Sequence, residues 1–90
     1  MSKKHQRTYE AIFAKPDRGN IDWDDFISLL EFLGVEVINQ NGAARTLWFD
    51  GVFIVLHEPY PDHYLYKTDL KRIRRFISSS GLKTKYEDNK

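Results

Sequence analysis

Apolar residues recur at three- and four-residue spacing in three stretches of this chain, and the region between the second and third is rich in β-branched and aromatic residues. The first stretch, about His5 to Ala14, places Tyr9, Ile12 and Phe13 on one side of a short helix that Pro16 and Gly19 bring to a stop. In the second, Asp22 is set to cap a helix from Trp23 to Leu33. Ile21 and Phe26 are spaced as a hydrophobic staple, and Asp24 and Asp25 suit the positive end of the dipole. Its inward stripe is Trp23, Phe26, Ile27, Leu30 and Leu33, and Gly34 stands where a helix terminates.

Three strands follow: Val35 to Gln40, Arg45 to Asp50 and Val52 to His57. Asn41-Gly42 and Asp50-Gly51 are turn formers that fold them into an antiparallel meander, with one face against helices and the other partly open. Leu70, Ile73, Phe76 and Ile77 then define a last helix, capped by Thr68 and ended near Ser80 by Gly81. The charged tail, 86–90, is expected to fray. The expected fold class is α+β: a three-stranded antiparallel sheet packed against helices in the order α-β-β-β-α, with an additional amino-terminal helix.

Ninety residues, of which 41% are apolar, suffice for one hydrophobic core but not two, so 1–90 is expected to form a single domain with its body at 21–82. The chain has no Cys, which removes disulfides, thiolate catalysis and Cys-rich zinc sites. No apolar run is long enough to span a membrane, and Lys3-Lys4 is followed by polar residues, so a cytoplasmic location is expected. Glycine-rich phosphate loops, nucleophile elbows and dinucleotide fingerprints are missing, and His, Asp and Glu are not spaced as metal ligands. No cofactor and no metal is expected.

The net charge is +1, but its distribution is uneven. Lys67, Lys71, Arg72, Arg74, Arg75, Lys83 and Lys85 crowd one segment whose only acid is Asp69. A helix carrying Lys71, Arg72, Arg74 and Arg75 on its sides and solvent face is suited to phosphate; the bland alternative is a solvated helix whose charges serve solubility. Tyr60, Tyr64 and Tyr66 interleave with His63 and Lys67, a mixture that can stack on bases while cations hold phosphate, or can pack back on the domain. His63 itself can touch a phosphate. His57, at the end of the third strand beside Glu58, can act as acid or base on a ribose hydroxyl, or can simply hydrogen-bond locally and shape the turn at Pro59. His5, near the terminus, reads as an ordinary surface residue.

From Ile21 to Leu82 the chain resembles the HicA-like toxins, the small RNA-directed partners of bacterial toxin–antitoxin pairs. The resemblance is carried by Leu29 to Val37 (LLEFLGVEV), Gly42, the strand running into His57 and Pro59, and Lys67 followed by Leu70 to Ile77 and Ser80-Gly81-Leu82. It implies a fold of the double-stranded-RNA-binding-domain type, cleavage of messenger RNA by an active-site histidine, and a neighbouring antitoxin protein that covers the RNA-binding face. The family's histidine follows a Gly-Ser, whereas this chain has Gly42-Ala43-Ala44-Arg45, without hydroxyl or imidazole. Arg45 can stabilise a phosphate but is no general base near neutral pH. Three possibilities stand at this point: a toxin-like ribonuclease with His57 as its catalytic residue, an RNA-binding protein without hydrolysis, and a domain whose sheet edge and aromatics bind a protein partner or a second copy as a homodimer. The RNA-binding set for the first two is Arg45, His63, Lys67, Lys71, Arg72, Arg74 and Arg75.

Overall fold

The computed structural model describes residues 1–39 and 41–90; Gln40, the expected end of the first strand, lies outside the described residues. The elements are α1 (Lys3–Ile12), α2 (Trp23–Phe32), β1 (Glu36–Asn39), β2 (Ala44–Phe49), β3 (Val52–His57), α3 (Lys67–Ser80) and α4 (Leu82–Asp88). The fold is α+β, an open three-stranded antiparallel sheet in the order β1-β2-β3 with four helices among the described residues. The second and third strands agree with the pattern to within a residue.

Local chemistry accounts for the boundaries. Ser2 accepts a hydrogen bond from the His5 amide and starts α1 two residues earlier than expected. Asp22 caps α2 through the Asp25 amide, as its position indicates. Gly34 leaves α2 with φ +97°, a conformation that a side chain would strain. Thr68 does not cap α3: the helix begins at Lys67 behind Tyr66, which provides no side-chain cap.

Register fixes the two faces of the sheet. Leu47 lies opposite Val37 and Ile54, and Leu56 opposite Arg45, so these positions share the face against the helices. Leu47 and Leu56 join Phe26, Leu30, Leu33, Leu70, Ile73 and Ile77 in the buried core. Leu29, outside the expected stripe of α2, is also buried; α1 lies along α2 and widens its apolar face. The chain beyond Gly81 differs most from expectation. It forms a further helix to Asp88, which takes in most of the tail at 86–90 that was expected to fray, because Leu82 and Tyr86, four residues apart, are both buried, and Tyr86 stacks on Tyr9 of α1 with centroids 3.6 Å apart. The amino- and carboxy-terminal helices thus hold each other, and burial raises the pKa of both tyrosines. No helix among the described residues is long and apolar enough to cross a membrane.

Candidate nucleic-acid interface

The cations of α3 divide by what they touch. Arg74 points inward: its Nε donates to the Ile12 carbonyl at 2.7 Å and its Nη2 to Asp17 at 2.7 Å, so it fastens α3 to the end of α1. Arg72 is partly committed, donating to the Val55 carbonyl at 2.7 Å and more weakly to Asp69 at 3.4 Å. Lys67, Lys71 and Arg75 are exposed and form no salt bridge with a described residue. They recur every four residues, so on a rise of about 1.5 Å per residue they form a ridge with one cation roughly every 6 Å.

Two aromatic surfaces adjoin this ridge. At its start, the β3–α3 connection is tied to the beginning of α2 by hydrogen bonds from the Trp23 amide to the His63 carbonyl and from the Leu65 amide to the Ile21 carbonyl. This brings Tyr60, Tyr64, Tyr66 and Lys67 around one hollow of about 270 Å³. The Lys67 side chain crosses Gly19 so closely that a Cβ there would meet its Cε at 3.1 Å. Further along the ridge is the sheet face that no helix covers, where Ile38, Trp48 and Phe53 are exposed. Trp48 and Phe53 are direct cross-strand partners. Phe53 borders a hollow of about 240 Å³ with Arg72, Arg75 and Ser79. Trp48 borders another, of about 440 Å³, with Lys85, Asp50 and Asp88. Neither aromatic was among the expected site residues, although Thr46-Leu47-Trp48-Phe49 and Val52-Phe53-Ile54, read with a period of two, put both rings opposite Leu47 and Ile54.

Arg45 and His57 sit on opposite faces of the sheet. Arg45 is opposite Leu56 and directed into the helix side, where it donates to the Gly42 and Ala44 carbonyls, each at 2.9 Å, and to Glu58 at 3.1 Å. It borders a cavity of about 330 Å³ together with Trp23, Glu31, Asn39 and Glu58. His63 Nε2 lies 3.6 Å from Glu58 and 3.8 Å from Asp24, at ion-pair range but without a hydrogen bond. The Glu58 carboxylate therefore serves Arg45 and His63, and does not hold His57. His57 is exposed on the outer face with Val55 and Phe53, and its side chain has no hydrogen bond to a described residue. Arg45, His57 and Lys67 are thus not assembled around one phosphate. Among the described residues no group of three or more His, Asp or Glu is placed to hold a metal ion. No family model, curated protein or solved structure matches the chain.

Proposed function

We propose that this protein binds RNA along the ridge Lys67–Lys71–Arg75 and the adjoining outer face of the sheet, as the toxin-like member of a toxin–antitoxin pair. The observation that carries the proposal is the separation of roles on α3: Arg74 is consumed by the fold, while three cations one turn apart have no ion pair among the described residues and lie beside exposed aromatics. Unpaired cations at that spacing suit successive phosphates, whereas a merely solubilising surface needs no aromatic neighbours. The cellular role draws its support from the sequence resemblance over Ile21 to Leu82, which also brings with it the double-stranded-RNA-binding-domain type of fold and messenger RNA as the target. An antitoxin covering the same face would compete with RNA.

The direct test is binding of a labelled RNA by fluorescence anisotropy across a salt series. Three phosphate contacts predict a slope of log affinity against log salt of roughly −2 for a single strand. Binding that is insensitive to salt, or unaffected by replacing Lys71 and Arg75 with Ser, would refute the proposal.

A second possibility, cleavage at His57, has one observation in its favour: the imidazole stands on the same outer face as Phe53 and Val55, with no hydrogen bond to a described residue. Yet no described side chain orients or polarises it, and Arg45 is turned away. Binding without hydrolysis is therefore the better-supported form. Incubation of RNA with the protein and with its His57→Ala variant, in chelator, separates the two: fragments from the parent alone would establish His57 as catalytic.

A further inference from the structure

Trp48 and Phe53 occupy the solvent side of a sheet whose other side is filled by core. Phe53 is 61% exposed and Trp48 42%, beside Ile38 at 40%. Such surface is costly to leave open, and the two residues are direct cross-strand partners on β2 and β3, so they share this face. Cations border both rings: Arg72 and Arg75 share a hollow with Phe53, and Lys85 shares one with Trp48. The acids nearby are Asp50 and Asp88 at the Trp48 hollow and Glu36 opposite Trp48 on β1; none of them lines the hollow that Phe53 shares with Arg72 and Arg75. An anionic partner with flat apolar groups fits this alternation of cation and ring.

We infer that the outer sheet face is a stacking platform for unpaired bases, so the RNA bound here is single-stranded, with two neighbouring bases on Trp48 and Phe53 and the connecting phosphates on Arg75 and Arg72. The inference rests on the RNA binding proposed above and specifies its substrate class. Stacked, paired bases in a duplex offer no free ring face to a side chain, so exposed aromatics add nothing to duplex binding. An unpaired base offers its whole face. This differs from what the resemblance to a double-stranded-RNA-binding fold implies, because it assigns affinity to the sheet rather than to the helix alone.

The test compares a labelled twelve-nucleotide RNA single strand with a twenty-base-pair RNA duplex, using the wild-type chain and the Phe53→Ala, Phe53→Leu and Trp48→Leu variants. Tryptophan emission is followed alongside; Trp23 is buried, so quenching by a stacked base reports on Trp48. The single strand is expected to bind more tightly and to quench emission, with the quench lost in Trp48→Leu. Both Phe53 variants are expected to lose about 5-fold or more in single-strand affinity, Leu because it keeps apolar bulk without a ring. Duplex affinity should not change. Equal or tighter duplex binding, or single-strand binding without quenching that both Phe53 variants retain, would overturn the platform and leave phosphate binding by α3 intact. Failure to bind either RNA would overturn the platform and the proposed function together. A wild-type dimer that Phe53→Ala converts to monomer in sedimentation would assign the face to a second copy and likewise overturn the inference.

Discussion

Arg74 and Arg75 are chemically identical neighbours with opposite predicted roles, and replacing each in turn separates folding from binding. Arg74 has 22% of its side chain exposed and donates a short charge-assisted bond to the Ile12 carbonyl, at the end of α1 where a helix favours positive charge. A hydrogen bond to a charged donor contributes about 1.5–3 kcal/mol. The second short contact, to Asp17, involves a carboxylate 44% exposed and adds at most about 1 kcal/mol. The Ala14 contact at 3.4 Å adds little. Arg74→Ala should therefore cost about 2–3 kcal/mol, which for a domain of this size lowers Tm by roughly 10–20 °C. Arg75→Ser, at an exposed position without an ion pair among the described residues, should stay within about 0.5 kcal/mol of the parent. Urea and thermal unfolding followed by circular dichroism measure the first effect; RNA anisotropy at a temperature where both variants are folded measures the second. Arg75→Ser should weaken binding and flatten the salt slope by roughly 0.7, while Arg74→Ala leaves both unchanged. If Arg74→Ala lost RNA affinity without loss of stability, or if the two variants were equally destabilised, the division of labour on α3 would be wrong.

Tyr86→Ala should cost about 3–4 kcal/mol in urea unfolding, since it empties a buried aromatic site against Tyr9 and detaches α4 from α1. Stability should also fall as pH rises above about 10. Burial, aided for Tyr9 by Glu87 and for Tyr86 by Glu10, raises both folded pKa values, so the unfolded chain releases these protons first; Lys4, whose pKa is raised by its hydrogen bond to Asp25, acts in the same direction. Tyr86→Phe removes a buried hydroxyl that has no partner among the described residues, so unfolding midpoints at pH 8 and pH 11 should lie closer together than in the parent. Gly34→Ala should cost about 1–2 kcal/mol by chemical denaturation; a Cβ there meets only Phe49 at an ordinary 3.6 Å, so the loss would come from the backbone at φ +97° rather than from a clash.

The sequence by itself determined every element except α4, because their causes are local. Asp22 caps its own helix, Asp50-Gly51 turns its own hairpin, and the spacing of Leu70, Ile73, Phe76 and Ile77 defines a buried face whatever that face meets. It also marked the basic helix, since charge composition survives folding unchanged. What each charge does was decided only in three dimensions. Arg74 and Arg75 read alike until α1, some sixty residues earlier, supplies a carbonyl to one and nothing to the other. Arg45 and His57 are an apt pair in sequence, but side chains alternate across a strand, and the register Arg45 opposite Leu56 sends them to opposite faces. The period-two pattern marks Trp48 and Phe53 as sharing one face. That this face is the open one depends on which side the helices take, a choice made by the burial of Leu47, Leu56 and the stripe of α3 together. Tyr86 likewise was legible as an aromatic in a charged tail, and became a packed residue only because the fold brings Tyr9 to meet it.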